Sequence, residues 1–149
     1  MKRFSLLLIA LTAFLVTSQA QATRFTNRNN DERVANRITT ADATPVYIDS
    51  LVLRTNEAGI IQVTIIGYAK DTAYAVTGVK QARFNKRRGT LTLGTVTDLL
   101  TTTTDTDISG ATFSIISSGN KIYVQVTGKA ATSITWTCFV KAKTVSTGT

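Results

Sequence analysis

Gly119–Val145 reads GNKIYVQVTGKAATSITWTCFVKAKTV, and its alternation decides the fold class. Ile122, Val124 and Val126 fall on one parity, with Tyr123, Gln125 and Thr127 on the other. After the Gly128–Thr132 link, Ile134, Trp136, Cys138, Val140 and Ala142 alternate against Thr135, Thr137, Phe139, Lys141 and Lys143. Successive side chains of a strand point to opposite faces, so each run predicts a strand with one buried face and one wetted face. Such strands are the building blocks of an antiparallel sandwich rather than of an enzyme pocket.

Working outward, the same texture predicts strands near Val46–Leu53, Ile60–Tyr68, Tyr74–Phe84, Thr90–Val96 and Thr112–Ile116, besides Ile122–Thr127 and Ser133–Val145. Turn signals separate them at Thr55–Gly59, Asp71-Thr72, Lys86–Gly89, Ser117–Asn120 and Gly128–Ala131. Gly67, Gly78 and Gly94 interrupt strand patterns, where bulges or bends are expected. Pro45 stands just before the first strand, where its missing N–H does no harm. Asp98–Gly110, DLLTTTTDTDISG, is a loop or a poorly anchored edge strand. No segment after Arg37 sustains a 3.6-residue period. The expected fold is all-β, an antiparallel and jelly-roll-like β-sandwich of about seven to eight strands.

The domain spans Ile38–Val145. Before it, Lys2 and Arg3, the apolar Leu6–Val16 and Ala20-Gln21-Ala22 follow the order of a secretory signal, so residues 1–22 are read as a signal peptide. The apolar run falls short of the roughly 20 residues that a spanning helix needs. Thr23–Arg37, rich in Asn and Arg, is read as a flexible basic arm, and Ser146–Thr149 as a disordered tail. Seventeen Lys and Arg oppose nine Asp and Glu, a formal charge of +8, and loss of Lys2 and Arg3 with the leader would lower it by two. That balance favours anionic partners such as acidic polysaccharide or lipopolysaccharide. Export by such a leader would place the chain outside the cell or at its surface.

Little catalytic chemistry is legible. The chain has no histidine and one cysteine, which excludes Ser-His-Asp and Cys-His machinery, imidazole ligands and an intramolecular disulfide. No cofactor is expected. Cys138, on the inward parity beside Trp136, reads as a small core residue. Asp98, Asp105 and Asp107 crowd one Thr-rich region, where carboxylates can cleave a sugar or bind calcium but are usually solvated. The expectation is that the chain is not an enzyme. Lys80, Arg83, Lys86, Arg87 and Arg88 form the one charge cluster. They read either as a polyanion contact or as a basic turn that discourages edge pairing. With only Phe84 nearby for stacking, no specific nucleic-acid site is expected.

The order of these pieces resembles the compact β-sandwich domains at the ends of bacteriophage tail-fibre, head-fibre and related virion proteins. The matching segments are Thr39–Pro45 (TTADATP), Gln81–Phe84 (QARF), Gly89–Gly94 (GTLTLG), Gly119–Gly128 (GNKIYVQVTG) and Ile134–Trp136. The resemblance covers Ile38–Val145. It implies a non-enzymatic virion structural module for attachment or surface decoration, a homo-oligomer with a trimer among its expected forms, in contact with other virion or surface proteins. It supplies no binding residues position by position. An exported bacterial adhesion or carbohydrate-binding module is the alternative, and a hydrolase using loop carboxylates is a third reading.

Overall fold

The computed structural model describes residues 32–70 and 72–146. The expected signal peptide, the first part of the expected arm (residues 23–31), Asp71 and the last three residues lie outside them. Among the described residues there are nine strands: β1 (Glu32–Thr40), β2 (Pro45–Val52), β3 (Glu57–Ala69), β4 (Tyr74–Arg87), β5 (Thr90–Leu93), β6 (Thr97–Thr104), β7 (Thr112–Ser118), β8 (Lys121–Thr127) and β9 (Ile134–Ser146). A 3-10 turn, Thr106–Ile108, joins β6 to β7. All pairings are antiparallel. The large sheet runs β1-β9-β3-β4, with β5 and β6 one after the other along the far side of β4, and the small sheet runs β2-β8-β7. The all-β sandwich expected from the alternation is the fold.

The two strands of the opening stretch do not pair with each other. β8 is the centre of the small sheet, whereas β9 lies between β1 and β3 in the large one. The link between them carries a tight Lys129–Thr132 bridge with Ala131 at φ 58° and so crosses from layer to layer. Both strands turn their apolar parity inward. Ile122, Val124 and Val126 from β8 and Ile134, Trp136, Cys138 and Val140 from β9 are all buried. Each large side chain so buried contributes about 1.5–3 kcal/mol. Burial pushes the Cys138 thiol far above its ordinary value, with the nearby Asp49 carboxylate adding to the effect. A thiol held neutral and enclosed in this way is inert.

Two strands escaped the periodicity. β1 draws Glu32–Arg37 out of the expected arm and into the sheet, opposite Lys141–Thr137 of β9. β6 takes the Thr run that was left between loop and edge strand, and it is exposed along most of its length. Neither has a clear apolar parity, because a strand at the rim of a sheet is held by its ladder more than by a buried face.

The strand glycines divide. Gly67 sits in unbroken register with β4 and β9, without the expected bulge. Gly78 keeps its register with β3 but falls at the slip between Thr77 and Val79 where β4 pairs with β6, as expected. Both also clear space: a Cβ on Gly67 would lie 2.8 Å from the Trp136 ring, and one on Gly78 would lie 2.9 Å from Phe113. Gly94 falls at the interruption between β5 and β6, where its N–H bonds to the Arg83 carbonyl at 2.8 Å. Gly67→Ala is expected to lose about 1–2 kcal/mol in urea unfolding, overpacking outweighing the lower entropy of the unfolded chain. An unchanged midpoint would mean that the indole has room to move.

Candidate functional site

The outer face of the large sheet gathers residues that are distant in sequence. On β3 the odd positions from Ile61 to Ala69 are buried, so Ala58, Ile60 and Gln62 share the outward parity with Ile66 and Tyr68. Register then builds rows across the sheet. Ile60 lies between Lys143 of β9 and Arg83 of β4, Gln62 between Lys141 and Gln81, and Ala58 between Val145 and Asn85. Thr92 of β5 extends the last row beside Asn85. Neighbouring strands stand about 4.8 Å apart, which puts the Arg83 and Lys143 backbones roughly 10 Å from each other. The row of Lys143, Ile60 and Arg83 holds no described carboxylate, whereas the row of Lys141 and Gln62 continues to Glu32 of β1.

A groove of about 500 Å³ crosses this face, lined by Ala58, Gly59, Ile60, Arg83, Phe84, Asn85, Thr92, Gly94 and Val145. The missing side chain of Gly94 deepens it beside the exposed Arg83. Its floor is largely apolar, with Asn85 and Thr92 as neutral hydrogen-bonding groups. An Arg fork over apolar surface suits a planar carboxylate carried on a ring that has apolar faces.

The basic cluster expected from sequence does not form one patch. β4 continues to Arg87, so the turn is the two-residue Arg88-Gly89, both at positive φ (51° and 87°). Within the strand, Lys80 and Lys86 take the inward parity of the buried Ala82 and Phe84. Lys86 is 6% exposed, and its Nζ donates to the Leu53 carbonyl at 2.9 Å. Lys80 pairs with Asp98 at 2.7 Å and lies 5.1 Å from the centre of the Phe113 ring. Of the five residues expected in one polyanion contact, Arg83, Arg87 and Arg88 are exposed, and Lys80 and Lys86 are drawn away from them. Lys141 and Lys143 join Arg83 from the other side of β3. Their outward facing was legible in the alternation of β9, but their nearness to Arg83 was not.

The three acids are separated. Asp98 is held by Lys80. Five residues away along β4, about 16 Å at strand spacing, Asp105 Oδ2 accepts the Ala75 N–H at 2.7 Å. Asp107 accepts the Tyr74 hydroxyl, and that bond with its charge raises the Tyr74 pKa, Asp105 adding a smaller push. Asp105 and Asp107 are thus neighbours around the start of β4, and Asp98 is apart from them.

No family model matches the chain, and no curated protein matches it. Solved structures similar to it are phage tailspikes. The tailspike of Acinetobacter baumannii phage AM24 aligns with a TM-score of 0.47 at 9% identity, over 76% of this chain and 26% of its own. The tailspike of Acinetobacter baumannii bacteriophage Fri1, a capsular polysaccharide depolymerase, aligns with a TM-score of 0.41 at 14% identity, over 79% and 19%. A tailspike from a further Acinetobacter phage gives a TM-score of 0.32 at 14% identity, over 85% and 25%. The chain spans about a quarter or less of the length of these proteins. The solved structures similar to the chain are thus phage tail proteins, a coarser class than the fibre domains that its sequence resembles. The expectation that the chain is not an enzyme is overturned, since a depolymerase is among these similar structures, and it is withdrawn.

Proposed function

We propose that the chain is a phage tail-associated attachment protein whose large-sheet outer face holds an acidic capsular-type polysaccharide, working within a virion as part of a homo-oligomer. The observation that carries this reading is the row Lys143–Ile60–Arg83 beside the groove, a row that holds no described carboxylate. The Fri1 tailspike supplies the class of target in this reading, a capsular polysaccharide. Arg83 takes the sugar carboxylate, Ile60 and Val145 take an apolar ring face, and Asn85 and Thr92 take hydroxyls. Lys141 and Lys143 add charge toward the next acidic sugar along the polymer.

The test is retention on an immobilised polyuronate, with neutral dextran as control. Wild-type protein should be held by the polyuronate alone and released by salt, since exposed charges are screened within about 10 Å at 0.1 M. The Arg83→Ala/Lys141→Ala/Lys143→Ala variant should elute at clearly lower salt, and elution alongside wild type would discard the reading. The same samples are assayed for release of reducing ends. Loss of any such release in an Asp105→Asn/Asp107→Asn variant assigns cleavage to that pair.

A further inference from the structure

The outer face of the small sheet lies on the opposite side of the sandwich from the groove and has no part in the attachment reading. On β8 the buried residues Ile122, Val124 and Val126 leave Tyr123 and Gln125 on the outward parity. β2 slips register between Tyr47 and Asp49, and Ile48 and Asp49 are both buried. A bulge of this kind re-aims side chains, so Tyr47 and Ser50 both face outward, opposite Gln125 and Tyr123. β7 completes the rows, with Ser114 beside Gln125 and Ile116 beside Tyr123. The Tyr47 and Tyr123 rings stack with centroids 4.5 Å apart and planes 28° from parallel. Tyr123 thus backs one face of the Tyr47 ring. With Tyr47 45% exposed, the other face is open to solvent.

We propose that this stacked pair is a second binding site, a platform for an uncharged, flat-faced hexopyranose of a β-linked glycan. A tyrosine ring is a rigid amphipathic surface that loses little conformational freedom on contact. A pyranose with equatorial substituents offers a C–H face to such a ring and hydroxyls around its rim, where Gln125, Ser50 and Ser114 stand as neutral hydrogen-bonding groups. Charge selects a neutral ligand. Among the described outward residues of β2, β7 and β8 the one charge is Lys121, at the end of β8, so an anion finds no cluster there. The formal +8 of the whole chain disfavours a cation. Size selects a short run of sugars over a folded partner. Three strands of seven or eight residues present a face of roughly 14 Å by 23 Å, about 320 Å². A stable protein interface takes about 800 Å² from each side.

The test is an NMR titration of the full chain, carrying ¹³C-labelled tyrosine, with cellohexaose. The β-1,4 links of this probe keep successive rings flat-faced, whereas the α-1,6 links of dextran do not, so dextran remains a control. The chain has four tyrosines, and saturable shifts are expected at Tyr47 and Tyr123 but not at Tyr68 and Tyr74. Tyr47→Ala should weaken binding at least about tenfold with circular dichroism unchanged. Tyr47→Phe keeps the ring and should stay within about threefold of wild type. Should Tyr47→Ala fail to fold, Tyr123→Ala, which removes the backing ring, supplies the readout. No shift with cellohexaose, shifts confined to Tyr68 and Tyr74, or equal binding by the alanine variant overturns the proposal. Shifts at Tyr47 and Tyr123 that follow protein concentration without sugar give the face to another protein molecule and overturn it too. Polyuronate retention of the Tyr47 variants is read separately and should be unchanged, so failure of one idea is not failure of the other.

Discussion

Trp136→Ala is expected to lower unfolding free energy by about 3–5 kcal/mol, the range for removing a large buried aromatic side chain. The indole is completely buried near the start of β9, and two features place it there. Gly67 on β3 leaves the space that the ring fills, as the 2.8 Å approach of a hypothetical Cβ shows. Its Nε1–H donates to Thr40 Oγ1 at 2.9 Å. Thr40 is itself only 4% exposed, so truncation leaves that hydroxyl without its donor as well as opening a void. β1 ends at Thr40, so the loss reaches the pairing of β1 with β9. Urea unfolding followed by circular dichroism reads the effect. A variant within about 1 kcal/mol of wild type would show that the surrounding side chains collapse into the gap.

Lys86→Ala should cost about 2–3 kcal/mol, the combined effect of a lost charge-assisted hydrogen bond and a lost buried stem. Lys86 Nζ holds the Leu53 carbonyl, and Leu53 is 3% exposed. On the same bend, Glu57 Oε2 accepts the Arg54 N–H at 2.7 Å. Between them the chain turns at Asn56, whose φ is 59°. Two buried, oppositely charged side chains thus pin the β2–β3 connection from inside the sandwich. Arg87→Ala, one residue on and exposed, should stay within about 0.5 kcal/mol of wild type. Equal stability of the two variants would return Lys86 to the surface role that its place in KRRG suggests.

That contrast shows how much was legible. Phe84 is buried on the inward parity of β4, and Lys80 and Lys86 stand four and two residues from it. The alternation that buries Phe84 buries them too, but a run of basic residues reads as a solvated turn unless the strand is carried on to Arg87. Lys141 and Lys143 were given the outward face of their strand correctly. Their partnership with Arg83 depends on β3 lying between β9 and β4, a long-range pairing with no local sign. Gly67 looked like a defect in its strand because a missing side chain signals special geometry without saying whose side chain occupies the space.

Periodicity determined by itself which faces are buried, since a period of two leaves each strand only two orientations and water chooses between them. It determined seven of the nine described strands, the inward placement of Trp136 and Cys138, and the sandwich class. Only the tertiary structure decided that β8 and β9 part into different sheets and that the basic residues regroup across β3. It alone also left β6 as an open edge. Pairing and layer are set by backbone hydrogen bonds between segments far apart in the chain, and those bonds are made by groups every residue carries.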